Sequence, residues 1–162
     1  MSIKTATLNG VATIEIARPE KKNALTVEMY QAMADAVNAA AEDAKVRAIL
    51  ITGQPGIFTS GNDLQDFLNR PRPKLDDSPV FKFMRALLDC DKPVVAAVTG
   101  AAIGVGVTML LHCDFVYAAD TAVFRMPFVD LGLCPEGGSS LVIPQRGGQL
   151  RGGQRINLPL VV

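Results

Sequence analysis

The stretch from Lys92 to Phe128, KPVVAAVTGAAIGVGVTMLLHCDFVYAADTAVFRMPF, decides the fold of this chain. Residues 93–98 form a short apolar run that is typical of a buried strand. Residues 104–112 carry apolar side chains along a segment of helical length, and residues 114–118 predict another strand. Strands that alternate with helices at this spacing indicate an α/β fold with a mostly parallel sheet.

The residues before this stretch predict a hairpin, two helices and a further buried strand. Asn9 and Gly10 separate two β-type runs, which is a strong hairpin signal. Thr26 is predicted to cap a helix, with Glu28 in its first turn. The predicted elements are strands over residues 5–8 and 11–16, a helix from residue 26 to about 44, a strand over 46–52 and a helix over 80–88. Residues 71–79 contain three prolines and predict a mobile surface loop.

The composition excludes several classes of protein. The chain has 162 residues, of which 49% are hydrophobic and 20% charged, and this indicates one globular domain with a sizeable core. Its formal net charge of zero does not indicate a nucleic acid or membrane partner. Cys90, Cys113 and Cys134 are far apart, which argues against disulfides and fits a reducing compartment. The first ten residues lack the apolar core of a secretory signal, so a cytoplasmic location is expected.

The end of the chain differs in character from the rest. From residue 145 it reads QRGGQLRGGQRINLPLVV, which has three arginines, no acidic residue and a repeated RGGQ. We therefore predict a core over residues 1–144 and an atypical tail over residues 145–162. Repeated RGG sequences can bind RNA as disordered segments. Two copies are a weak signal for that function, and a loosely packed chain end is the simpler interpretation.

Three glycine-containing segments at strand–helix junctions are candidates for a functional site. They cover residues 58–64, 100–106 and 134–140. Glycine lets backbone N–H groups approach a ligand closely, and N–H groups from two loops can converge on one oxygen. Each segment by itself is better explained by turning and close packing of the chain. Three of them together, one with a carboxylate, favour a site.

Glu136 is the carboxylate of the third segment. It follows Pro135 between apolar sequences, and partial burial there would raise its proton affinity and suit it to act as a general base. An acid at the start of a helix near Gly137 is the alternative. The single histidine, His112, lies in an apolar helix and is interpreted as a core or interface residue, which argues against a Ser/His/Asp hydrolase and a metal site.

With these segments in place, the chain resembles the enoyl-CoA hydratase/isomerase (crotonase) family from near its start to about Pro144. The resemblance lies in RPEKKNAL, AILITG, FTSGNDL, LGLCPEGGSS and the stretch quoted first. It implies a crotonase-like ββα spiral core within the α/β class, and an acyl-CoA thioester as substrate. It also implies assembly as a homotrimer or hexamer, and no separate cofactor, since coenzyme A is part of the substrate. The sequence is expected to lack most of the helical C-terminal region of the family.

The resemblance also implies roles for individual residues. The backbone N–H groups of Asn62 and Val105 would hold the thioester enolate oxygen, and Glu136 would be the acid/base. Arg18 and Lys21 would lie near the coenzyme A phosphates, although they are equally explained as solvated loop charges. The remaining predicted substrate-binding residues are Ala24, Ser60, Gly61, Asp63, Leu64 and Gly104.

The carboxylates that are present decide which reaction the resemblance implies. Hydratases of the family use a pair of glutamates, and Thr108 and Phe128 occupy the corresponding positions here. The remaining carboxylate, Glu136, lies in a segment that resembles the Δ3,Δ2-enoyl-CoA isomerases of fatty-acid β-oxidation, and one carboxylate is sufficient to move a double bond. The alternatives are a non-catalytic acyl-CoA-binding remnant and a hydratase with an atypical base.

Overall fold

The computed structural model of the chain describes residues 2–69, 74 and 77–147. Most of the predicted loop over residues 71–79 lies outside the described residues, and so does the tail after residue 147. The division of the chain at residue 144 and the RNA-binding interpretation of the tail therefore stay predictions.

Strands and helices alternate along the described part of the chain. Its strands are β1 (Ile3–Leu8), β2 (Val11–Ile16), β3 (Ala48–Thr52), β4 (Ile57–Thr59), β5 (Val94–Val98), β6 (Ala101–Ile103), β7 (Phe115–Ala118) and β8 (Val123–Arg125). Its α-helices are α1 (Val27–Glu42), α2 (Leu64–Leu68), α3 (Pro79–Asp89), α4 (Val105–Thr108) and α5 (Ser139–Gly147), and 3-10 helices cover Pro19–Lys21 and Met109–His112. None of the described helices combines the length and the apolar character that crossing a membrane requires.

The strands form two sheets. The larger sheet has the order β1-β2-β3-β5-β7, and the smaller one has the order β4-β6-β8. Among the described strands, β1 and β2 pair in antiparallel fashion and the other pairs are parallel. From β3 onward the chain passes from one sheet to the other at every strand. The prediction of a mostly parallel α/β fold is confirmed.

Local signals located the longer elements correctly. Asn9 and Gly10 have φ angles of +51° and +80°, as the hairpin between β1 and β2 requires. The side chain of Thr26 accepts a hydrogen bond from the N–H of Met29 at 3.3 Å and caps α1. The helix predicted over residues 104–112 is instead split, since α4 ends at Thr108 and a tighter 3-10 helix follows.

The smaller sheet was not predicted, because its strands are only three residues long and lie in or beside the glycine segments. Residues 58–64 and 100–106 were assigned to strand–helix junctions, but β4 extends into the first segment and β6 lies within the second. Gly100 explains part of the difference between the predicted junctions and the observed strands. A Cβ atom there would lie 2.0 Å from the carbonyl oxygen of Gly56, so the backbones can meet at this point only through glycine.

The core lies between the larger sheet and the helices α1 and α3. Strands β2, β3 and β5 alternate between buried and half-buried side chains, and α1 buries the stripe that contains Met29, Met33 and Val37. In contrast, β7 at the edge of this sheet is exposed along its whole length, including Phe115 and Tyr117.

Asn23 joins the loop after β2 to β4. Its side chain is fully buried, and its Nδ2 donates to the carbonyl oxygens of Ile57 at 3.2 Å and Phe58 at 3.1 Å. Its Oδ1 accepts from the N–H of Arg18 at 2.7 Å, and its own carbonyl accepts from the Thr59 hydroxyl at 2.7 Å. The side chain therefore binds three backbone groups at once, of which the Ile57 carbonyl also accepts from the N–H of Gln54.

We expect Asn23→Ala to lower the free energy of unfolding by about 3 kcal/mol, because three backbone groups each lose a hydrogen bond to this fully buried side chain. Urea denaturation followed by circular dichroism measures this change. Asn38→Ala on the exposed face of α1 is the matched control and should change the value by less than about 0.5 kcal/mol. Equal effects of the two substitutions would contradict the role given to Asn23.

Candidate active site

A cavity of about 320 Å³ opens where the three glycine segments meet. Its lining is mainly apolar with few polar groups, which suits an apolar ligand held at one polar end. The lining residues are Ser60, Gly61, Asn62, Leu64, Ile103, Gly104, Val105, Pro127, Phe128, Leu131, Leu133, Cys134 and Glu136. Segments that are far apart in the sequence thus contribute to one site.

The first wall of the cavity is the extended segment around Asn62. The N–H of Leu25 donates to the Gly61 carbonyl at 2.8 Å, and the N–H of Asp63 donates to the Leu25 carbonyl at 2.8 Å. These bonds hold Asn62 in place but leave its own N–H without an acceptor among the described residues. Gly61 has a φ angle of +94°, and a Cβ there would lie 3.0 Å from the Ile103 carbonyl oxygen.

The side chain of Asn62 is held by Tyr30 on α1. The Tyr30 hydroxyl donates to Asn62 Oδ1, and its ring, which is fully buried, contacts Phe67 and Phe83 with centroid distances of 6.4 and 6.1 Å. Burial, and secondarily the charge of Glu136, raises the pKa of Tyr30 well above its ordinary value. The phenol therefore stays protonated and remains a donor to Asn62.

The second wall is the turn from β6 into α4. The N–H of Gly104 donates to the Arg125 carbonyl at 2.8 Å, and the Gly104 carbonyl accepts from the N–H groups of Val107 and Thr108 at 2.9 and 3.1 Å. Val105 is the first residue of α4, and its N–H has no acceptor in the described part of the chain. Two unpaired N–H groups, of Asn62 and Val105, therefore belong to residues that line the same cavity.

Glu136 is the one carboxylate among the described lining residues. Burial raises its pKa from the ordinary value of 4.5, and the hydroxyl of Thr108 acts in the opposite direction as a hydrogen-bond donor. Thr108 is fully buried, and its hydroxyl donates to the Val105 carbonyl at 3.4 Å. The carboxyl group is therefore partly desolvated, as the sequence suggested. The helix behind it starts at Ser139 and not at Gly137.

The cavity does not include every residue that was predicted to bind substrate. Arg18 donates to Asp63 at 2.7 Å and to the Ala24 carbonyl at 2.9 Å, and its side chain is only 17% exposed. The hydrogen bond from Arg18 holds the pKa of Asp63 below its usual range. The contacts of Arg18 with Ala24 and Asp63 thus support the first wall from outside the cavity. Lys21 is exposed in a 3-10 helix. Contacts of Arg18 and Lys21 with coenzyme A phosphates stay predictions.

Several residues of the site had no signal in the sequence. The apolar floor formed by Ile103, Pro127, Leu131 and Leu133 consists of ordinary hydrophobic residues, and Tyr30 lies 32 positions before Asn62. Only the folded chain brings them to the cavity. No group of three or more His, Cys, Asp or Glu residues suited to a metal ion occurs within the described ranges.

The chain was compared with known proteins. The family model described as Enoyl-CoA hydratase/isomerase matches residues 6–154. Human "Enoyl-CoA delta isomerase 2" is 39% identical over 143 residues, which are 85% of this chain and 36% of that protein. The "1,2-epoxyphenylacetyl-CoA isomerase" of Escherichia coli strain K12 is 37% identical over 149 residues, which are 88% of this chain and 56% of that protein.

A solved structure agrees with the architecture as well. The structure of Pseudomonas aeruginosa OdaA superposes with a TM-score of 0.91 at 50% identity, over 95% of this chain and 62% of that one. The chain therefore spans about a third to three fifths of the length of these proteins, and the crotonase-like α/β core predicted from sequence is confirmed. From the family match and this agreement in fold we conclude that the chain belongs to the enoyl-CoA hydratase/isomerase family.

Proposed function

We propose that the chain carries the site of a Δ3,Δ2-enoyl-CoA isomerase, which converts a 3-enoyl-CoA to a 2-enoyl-CoA in fatty-acid β-oxidation. The observation that carries the proposal is the cavity itself. One partly desolvated carboxylate, Glu136, shares an apolar cavity with two backbone N–H groups that have no acceptor among the residues that the structure describes. A base and two hydrogen-bond donors are the groups that proton abstraction next to a thioester carbonyl requires.

In the proposed reaction the Glu136 carboxylate removes a proton from C2 of the substrate. The C–H electron pair forms a double bond between C1 and C2, and the thioester oxygen becomes a dienolate oxygen. The N–H groups of Asn62 and Val105 donate to this oxygen and stabilise its charge. The Glu136 carboxyl group then returns the proton to C4, so that the double bond moves to C2–C3. Protons and electrons balance, and the reaction needs no cofactor.

The other residues of the cavity favour this reaction over hydration. Thr108 and Phe128 occupy the positions at which the resemblance places the two glutamates of hydratases. Phe128 lines the cavity with an apolar ring, and Thr108 is buried behind Glu136. Neither side chain can activate a water molecule as a carboxylate would. The name of the human relative, a delta isomerase, agrees with this proposal.

The alternatives differ from the proposal in simple assays. A hydratase with an atypical base would add water to a 2-enoyl-CoA, and a non-catalytic remnant would bind acyl-CoA without converting it. Turnover of 3-enoyl-CoA and of 2-enoyl-CoA, measured on one preparation, distinguishes all three.

Glu136→Gln should reduce kcat for 3-enoyl-CoA isomerisation by roughly 10²- to 10⁴-fold, because the amide cannot accept the C2 proton. The assay follows formation of 2-enoyl-CoA. Glu42→Gln, at the exposed end of α1, is the matched control and should leave kcat unchanged. Activity that survives Glu136→Gln would show that another group is the base.

Val105→Pro should reduce kcat by roughly 10²- to 10³-fold, because proline removes one of the two N–H donors to the dienolate oxygen. Proline is compatible with this position, since Val105 is the first residue of α4 and its N–H has no helical partner. Val105→Ala keeps the N–H and should retain most of the activity. If both variants lose activity equally in steady-state assays, the side chain and not the N–H is responsible.

The pH profile of kcat/KM should reflect the raised pKa of Glu136. The base must be deprotonated, so kcat/KM should fall as the pH drops through a midpoint above 4.5, the ordinary value for this group. Thr108→Val removes an interaction that lowers this pKa and should move the midpoint upward, whereas Thr108→Ser should not. A midpoint that does not differ between the two variants would argue against the contact between Thr108 and Glu136.

A further inference from the structure

The segment that carries Glu136, residues 134–138, has few backbone ties to the rest of the protein. Its described backbone hydrogen bonds are local. The N–H and hydroxyl of Ser139 donate to the Glu136 carbonyl at 3.0 and 2.7 Å, and Leu141 and Val142 donate to the Gly138 carbonyl. Gly137 and Gly138 have φ angles of +60° and +69°, so the backbone here has access to conformations that other residues rarely adopt.

One side chain from another element binds this backbone. Nε2 of His112 lies 2.8 Å from the carbonyl oxygen of Gly137. Because a carbonyl oxygen only accepts hydrogen bonds, the ring must donate its Nε2 proton. Among the described residues this is the one hydrogen bond that ties the backbone of residues 134–138 to a different part of the fold.

His112 and Thr108, the residue that affects the Glu136 carboxyl group, lie on the same helical stretch. His112 ends the 3-10 helix that continues α4, and Thr108 lies four residues before it. The Thr108 hydroxyl favours the charged form of Glu136, and a Cβ on Gly137 would lie 2.9 Å from Thr108 Cβ. The same helical stretch therefore packs tightly against the segment at Gly137 and binds it next to the functional carboxylate.

We propose that His112 is a positioning residue for Glu136, which holds the segment 134–138 through the Gly137 carbonyl so that the carboxyl group stays in the cavity. The catalytic part of this inference rests on the proposed function. Without the hydrogen bond, the segment has two positive-φ glycines, and its backbone bonds to other described residues are local, so the carboxylate can move toward solvent. A displacement of about 1 Å in a reacting group can cost roughly 10²-fold in rate.

The test compares His112→Leu, which has no donor, with His112→Gln, whose amide can place an N–H near the position of Nε2. Leu88→Gln is the matched control, since Leu88 is exposed and lines the same surface depression as His112. The first readout is the pKa of Glu136, from an NMR titration of carbon-13-labelled glutamate carboxyl groups with Glu136→Gln for assignment. The second is kcat and KM for 3-enoyl-CoA.

In His112→Leu we expect the pKa of Glu136 to fall toward 4.5 as the carboxyl group becomes solvated. We also expect kcat to fall roughly 10- to 100-fold with little change in KM. His112→Gln should restore both values, and Leu88→Gln should change neither. If His112→Leu does not fold, His112→Asn replaces it, because its shorter amide is polar but does not reach Gly137.

Three results would overturn the proposal: an unchanged pKa of Glu136 in His112→Leu, a fall in pKa that His112→Gln does not reverse, or a shifted pKa with an unchanged kcat. The proposed function can be wrong while the role of His112 is right. If the unmodified protein does not isomerise 3-enoyl-CoA but the pKa of Glu136 follows the expected pattern, His112 still positions the carboxylate and the proposed reaction is wrong.

Discussion

The buried amide of Asn23 is the interaction on which the arrangement of this protein depends. Its side chain binds two carbonyl groups of β4 and the N–H of Arg18 in the loop after β2. Two residues later, Leu25 forms the backbone bridge to Asn62. Polar groups without partners in the interior are costly, so the three hydrogen bonds of this side chain hold the loop after β2 against the smaller sheet and next to the cavity wall.

The functional groups of the cavity are likewise held by buried polar contacts from behind. Tyr30 binds the side chain of Asn62, Thr108 faces the carboxyl group of Glu136, and His112 binds the backbone next to it. The stretch from Val105 to His112 contributes a backbone N–H, a hydroxyl and an imidazole to the same region. The burial that holds these groups in place also raises the pKa of Glu136. The packing of the site and the proton affinity of its carboxyl group therefore have the same cause.

The sequence predicted those elements whose signals are local. The hairpin at Asn9-Gly10, the cap at Thr26 and the apolar runs of β3 and β5 each depend on neighbours within a few residues. The smaller sheet escaped prediction because three-residue strands have no measurable periodicity. They pair only after the glycine at position 100 lets the two backbones come together.

The sequence by itself determined the parallel α/β core, the glycine segments and the candidate residues Asn62, Val105 and Glu136, because local patterns and the family resemblance mark all of them. Only the tertiary structure decided that Arg18 pairs with Asp63, 45 positions away, and that Tyr30 and His112 bind partners 32 and 25 positions away. Hydrogen bonds over such separations depend on how the sheets and helices pack, and no periodicity within a short window encodes that packing.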